Sequence, residues 1–290
     1  MPDFTIVTDS CCDLPADLAE KLGLAVLPLS FEMEGASFQN DLAWRNMPPE
    51  VFYDKLKSGI MSRTSAASVG QFTDALEEIC AAGRDALVLA FSSALSATYN
   101  SAKIAAEDIK EKYPDRRVAV VDTLSASLGQ GLLVYLACRR KEQGATFEEV
   151  LQWVEENKLH LCHWFTVDDL KHLKRGGRIS GATALVGTML GIKPVMHMDN
   201  EGRLVKVGVA RGRLASLMEL ADRMEKTAID PAGQTVFISH GNCLGDAETV
   251  GNMVKERMGV REVLYNNVGP VIGSHSGPGT VALFFLGTER

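Results

Sequence analysis

No stretch of this chain is apolar for long enough to span a bilayer. The strongest runs, such as "TVALFFLG" (280–287), fall far short of the ~20 residues a spanning helix needs. The opening "MPDFTIVTDS" has neither a basic segment nor a long apolar core, so no secretory signal is read there. Six cysteines are scattered through apolar patterns without a C-x-x-C pair, and they read as reduced, small apolar residues. Basic residues are outnumbered, 30 Lys and Arg against 37 Asp and Glu, and the net charge of −7 argues against a general nucleic-acid binder. There is no G-x-x-x-x-G-K-[ST] loop and no G-x-G-x-x-G after the first strand, so ATP or dinucleotide binding is not indicated. There is no G-x-S-x-G elbow to mark an activated serine. Standard metal-ligand spacing is missing as well. "HLCH" (160–163) puts His160 and Cys162 on one strand face and His163 on the other, and with His172 nearby these read as core or surface residues. The expectation is a soluble cytoplasmic protein with no metal, no cofactor, no nucleic-acid partner and no stable membrane insertion.

What remains is an ordered, globular composition, 46% hydrophobic and 23% charged over 290 residues. The first half alternates strands and helices. Strands are read at 4–10, 24–34, 86–91 and 117–123, with Pro28 suggesting an edge or bulge in the second. Helices are read at "PADLAEKLG" (15–23), near "PPEVFYDKLKSG" (48–59), at "GQFTDALEEICAAG" (70–83), and over 96–112, 128–143 and 146–157. The remainder of 35–68 reads as irregular. The order predicts a doubly wound, mostly parallel sheet. The second half differs. "KPVMHMDNEGRLVKVGVA" (193–210) is two alternating runs joined by a hairpin signal, followed by helix (213–227), strand (235–240), helix (246–258) and strand (260–266). We therefore expect an α/β chain of two domains. Residues 1–163 would form the parallel α/β domain and 164–290 an α+β domain with a mixed sheet, with a ligand in the cleft between them.

Ligands of doubly wound sheets sit at the C-terminal edges of the strands. Hydroxyl-rich clusters fall at such places: "TDSCCD" (8–13), "SSALSAT" (92–98) and "DTLSASLGQG" (122–131), with "SRTSAAS" (62–68) before a further helix. Each serine or threonine there could simply cap a helix. Together, hydroxyls and helix N-termini also suit an anion, and Thr64 and Ser96, the latter read as an N-cap, could each donate to a carboxylate or phosphate. "LKRGGRIS" (173–180) could cradle a phosphate, present Lys174, Arg175 and Arg178 to a partner, or merely end a helix. "VGPVIGSHSGPGT" (268–280) reads as a tight turn that carries His275.

The ordered series of these stretches resembles the DegV family of bacterial fatty-acid-binding proteins along the whole chain. The matching segments are "TDSCCDLP" (8–15), "TSAAS" (64–68), "SSALSATYNSA" (92–102), "DTLSASLGQG" (122–131), "LKRGGRIS" (173–180), "GIKPV" (191–195) and "VGPVIGSHSGPGT" (268–280). The resemblance implies a long-chain fatty acid in an apolar interdomain tunnel. Its carboxylate would be held by Thr64 and by Ser96, with Ser93 next in order, and by His275, whose pKa near ~6.5 would let it change charge. It also implies a role as the binding subunit of a fatty acid kinase, serving phospholipid metabolism: a separate kinase would phosphorylate the carboxylate, and Arg178 and Arg175 would help dock it. Members often read T-S-Q-P-S and L-S-G-T where this chain has "TSAAS" and "LSAT". Ala97 would be strained if its backbone needed a positive φ. The alternatives are an acyl or phosphoryl hydrolase built on the same Ser/Thr/His cluster, or a scaffold with a purely structural lipid.

Overall fold

The computed structural model describes residues 4–168, 170–179 and 191–290; Ser180, the last residue of the 173–180 stretch, lies outside them. The first sheet is parallel and built from β1 (Phe4–Asp9), β2 (Ala25–Leu27), β6 (Asp85–Ala90) and β7 (Val118–Asp122) in the order β2-β1-β6-β7. Alternation of side chains along its buried strands divides them between two cores. Val7, Ala86, Val88 and Ala90 pack against the helices Val69–Ala81 and Thr98–Lys112. Ile6, Leu87 and Leu89 face the opposite way, onto the helix Leu128–Glu142. The sheet is doubly wound, as its sequence order predicts.

The helix Leu128–Glu142 shows why its sequence has no clear apolar stripe. Its first two turns are buried on every side, Gly129, Gln130 and Gly131 included. One side meets the first sheet and the other meets a second, six-stranded sheet, so no face is left for water. That second sheet contains β8 (Leu161–Thr166), β9 (Ile192–Met198), β10 (Leu204–Arg211), β11 (Thr235–His240), β12 (Glu262–Asn267) and β13 (Val281–Leu286) in the order β10-β9-β8-β13-β11-β12. It is mixed: β11 and β12 are parallel and the other pairs antiparallel. Its outer face packs on the helices Arg213–Thr227 and Leu244–Met258 through Leu217, Leu220, Val250 and Val254. Its inner face, with Phe165, Met196, Phe237 and Phe284, turns toward the first domain. β8 pairs with β13 from Leu161 onward, so the boundary expected at 163/164 falls inside this strand.

Two sequence readings need correction. Residues 24–34 are not one strand. They split at Pro28 and Leu29 into β2, in the first sheet, and β3 (Ser30–Met33), in a separate sheet. A proline has no N–H for a ladder, and the chain changes sheets there. The region 35–68 is also less irregular than expected. β4 (Ala36–Gln39) and β5 (Ser62–Ser65) flank β3 in a small antiparallel sheet, over an aromatic cluster of Phe31, Phe52 and Tyr53. These short polar strands carry little periodic signal, and the cross-sheet pairing organises them. The pairing places Thr64, on β5, opposite Phe31.

Candidate functional site: a cavity between the sheets

A cavity of about 230 Å³ lies between the small sheet, the loop after β6 and the inner face of the second sheet. Most of its wall is apolar, with Phe91, Leu95, Phe165, Leu173, Ile272 and Phe284 among the lining residues. Polar groups gather around Thr64. Its Oγ1 lies 2.8 Å from His275 Nε2. His275 stands in the last turn of the helix Pro270–Ser276. The expected turn is therefore a short helix followed by a turn at Gly277 and Gly279, both at positive φ. Tyr53 Oη donates to Val268 O at 2.7 Å, which ties the approach to this helix to the aromatic cluster.

Beside His275 runs the chain at Gly176. Arg178 Nη1 donates to Gly176 O at 2.6 Å, and its Nε donates to Leu95 O at 3.3 Å. Thr64, His275, Arg178 and Ser96 all line the cavity. Ser93 and Arg175 do not: both are exposed. Ser93 makes its contact through the backbone, its N–H donating to Asp122 Oδ1 at 3.2 Å. Arg175 pairs with His172 Nδ1 at 3.0 Å.

Ser96 is not the formal N-cap. The helix starts at Thr98 with Ala97 at the cap position, and Ser96 Oγ instead accepts the Thr98 N–H at 3.2 Å and shares a hydrogen with Thr98 Oγ1 at 2.8 Å. Ala97 has φ −74, so the alanine carries no backbone strain and the concern raised by the missing glycine disappears.

The electrostatics of His275 also differ from the sequence expectation. Burial, with Arg178 and then Arg175 adding positive charge nearby, pushes its pKa down to about 4. The ring is neutral at pH 7 and does not switch charge near 6.5. With its proton on Nε2 it donates to Thr64 Oγ1, which leaves the Thr64 hydroxyl hydrogen available to a ligand oxygen. Nδ1 is buried and makes no hydrogen bond among the described residues. The cationic partner at the site is Arg178.

A further set of polar groups lines the same cavity. Ser127 Oγ donates to Asp13 Oδ2 at 2.6 Å and lies 2.9 Å from Ser239 Oγ. Burial raises Asp13 to about 7, and the Ser127 hydrogen bond partly opposes this. His163, on the inner face of β8, is locked between neighbours: Nδ1 donates to Leu161 O at 3.0 Å and Nε2 accepts the Ala126 N–H at 3.3 Å. Burial holds its pKa well below the usual value, so this ring too is neutral. The sequence reads His163 as a core or surface residue and does not single out Ser239. The available signal was a hydroxyl directly after the apolar run "VFI" (236–238), which has to meet a partner when buried. Among the described residues there is no group of three or more His, Cys, Asp or Glu that could hold a metal ion. No helix among them is long and apolar enough to cross a membrane.

Comparison with known proteins agrees with this architecture. The model of a family described as "Uncharacterised protein, DegV family" matches residues 3–288. A DegV domain-containing protein of Clostridium perfringens is 46% identical over 100% of this chain and 99% of its own length. Among solved structures, a DegV family protein from Thermus thermophilus described for its fatty acid binding is 33% identical, with a TM-score of 0.86 over 97% of this chain and 98% of that one. A DegV lipid-binding protein from Thermotoga maritima is 30% identical, with a TM-score of 0.84 over 99% of both chains.

Proposed function

This chain belongs to the DegV family, and from that premise we propose that it binds a long-chain fatty acid in the cavity between its sheets. The observation that carries the reading is an apolar cavity with the Thr64–His275 pair, Ser96 and Arg178 on its wall. Size supports it. The cavity of about 230 Å³ is far larger than a single water site and has a mostly apolar wall, as a chain of methylenes requires. Each buried CH₂ contributes about 0.8 kcal/mol before the costs of binding. The acyl chain therefore supplies most of the affinity. Thr64, Ser96 and the neutral His275 orient the carboxylate, and Arg178 compensates its charge.

A carrier that shields an acyl phosphate from water would suit a separate ATP-using kinase, with the exposed Arg175 beside the site as part of the docking surface. The hydrolase alternative would need a hydroxyl activated by the histidine. Thr64 Oγ1 lies within reach of His275 Nε2, but among the described residues no carboxylate bonds His275 Nδ1 to orient the ring, and Ser96 Oγ pairs with Thr98.

The test is to denature the purified protein, extract it with organic solvent and identify the released lipid by mass spectrometry. Near-stoichiometric fatty acid, lost from the Thr64→Ala/Ser96→Ala double variant, is the expected result. Protein from lipid-replete cells that yields none would overturn the reading. For the kinase step, phosphorylation of the bound acid should require ATP and an added kinase subunit, and should weaken in Arg175→Ala while acid binding is retained.

A further inference from the structure

The helix Pro270–Ser276 comes between β12 and β13 in the chain, yet it docks on the small sheet of the first half. Two contacts set it against β5. Ser274 Oγ lies 2.8 Å from Ser62 Oγ, and His275 Nε2 lies 2.8 Å from Thr64 Oγ1. Ser62 and Thr64 are two apart on the strand, so both side chains point to one of its faces.

A third contact comes from Tyr53, on the helix Pro49–Lys57. Tyr53 is fully buried and is not among the residues that line the cavity. Its hydroxyl meets the histidine helix at two points. Oη donates to Val268 O, two residues before Pro270, at 2.7 Å. A Cβ built on Gly273 would lie 2.6 Å from the same oxygen, so the helix backbone passes directly against it. Val268 is held from the other side as well, its N–H donating to His240 O at 2.8 Å. Burial pushes the phenol well above its usual range, so the donated hydrogen is present at any ordinary pH. Gly273 and His275 share one helical turn. Displacing that turn from β5 by ~1 Å would stretch the contact with Thr64 beyond hydrogen-bond range.

We infer that Tyr53 is a positioning residue for the ligand site: its hydroxyl, seated between Val268 O and Gly273, sets the height of the histidine helix over β5 and thereby the contact of His275 with Thr64. Tyr53 acts through His275 and touches no ligand itself. The placement of the ring is independent of the ligand. Only its consequence for affinity rests on the fatty-acid reading.

The test removes one oxygen, in Tyr53→Phe, and reads two signals. The first is the nuclear magnetic resonance of His275 Nε2 in lipid-free protein with isotope-labelled histidine, assigned by its absence from His275→Ala. It should move toward the position of a ring nitrogen without a hydrogen bond. The second is fatty-acid affinity of delipidated protein, which should fall about 5- to 10-fold in Tyr53→Phe. In the His275→Ala background the same change should alter affinity by less than about 2-fold, because the group it positions is gone. Gly273→Ala perturbs the same contact from the helix side and should give the same results, so it decides the matter if Tyr53→Phe does not fold. Thermal melts check folding. An unchanged His275 resonance, or equal losses of affinity with and without His275, would overturn the inference and leave Tyr53 a purely structural residue. If none of the proteins binds fatty acid, the fatty-acid reading fails and the resonance alone decides the placement.

Discussion

Gly176 holds the ring of His275 in place by having no side chain. A Cβ built on Gly176 would lie 2.1 Å from His275 Nδ1. The backbone at this glycine is in the ordinary right-handed region, φ −73, so the requirement is for space rather than for an unusual conformation. The ring, pressed against this wall, turns Nε2 to Thr64.

Gly176→Ala is accordingly a ligand-site substitution although Gly176 is outside the lining. It should displace the imidazole, break the Thr64 contact and weaken fatty-acid binding by roughly 10-fold or more, about 1.4 kcal/mol. Titration calorimetry beside His275→Ala checks this. Wild-type affinity in Gly176→Ala would show that the ring position is unimportant.

Thr64→Val keeps the shape of the side chain and removes the hydroxyl. A hydrogen bond to a charged group contributes about 1.5–3 kcal/mol, so affinity should drop by about 10- to 150-fold. Thr64→Ser should retain most of it. A loss in Thr64→Ser with Thr64→Val unaffected would place the contribution in the methyl group instead.

Ser96 and Ser93 should separate cleanly. Ser96→Ala removes a cavity hydroxyl and should reduce binding severalfold, whereas Ser93→Ala, at an exposed side chain, should leave binding and melting temperature unchanged. A larger effect from Ser93→Ala would reassign the carboxylate contact.

Stability should depend on pH through the buried carboxyls. Burial raises Asp13 to about 7 and Asp9 to about 6 from 3.8. The folded state therefore holds protons that the unfolded chain has released. The stabilising contribution of each group is complete below pH ~4 and is lost as pH rises through the folded value, at no more than about 1.4 kcal/mol per pH unit per group. The neutral histidines pull the other way. For His275 the ring is held near 4, and stability is lost as pH falls from 6.5 toward 4. The difference between wild type and Asp13→Asn isolates the aspartate. Urea titrations should show the variant gaining on wild type between pH 4 and 7 and a constant gap above that. A gap independent of pH would mean that Asp13 titrates normally.

Much of this architecture is determined locally. Continuous apolar runs such as "ALVLAF" (86–91) specify strands buried on both faces, and β6 does divide its residues between two cores. The hairpin at 199–202 and most helices follow from turn residues and apolar spacing, because both act over a few residues. The hydroxyl clusters that reach the cavity are likewise visible as clusters. Tertiary structure decided which of their members count. Thr64 and His275 meet across 211 residues, and Asp13, Ser127 and Ser239 meet across more than a hundred. Ser96 faces the cavity and Ser93 faces water because of the path the loop takes after β6. The low pKa of His275 comes from burial and from two arginines of another segment, which no local pattern encodes. Periodicity is a property of neighbours in the chain; desolvation and hydrogen-bond partnership are properties of neighbours in space.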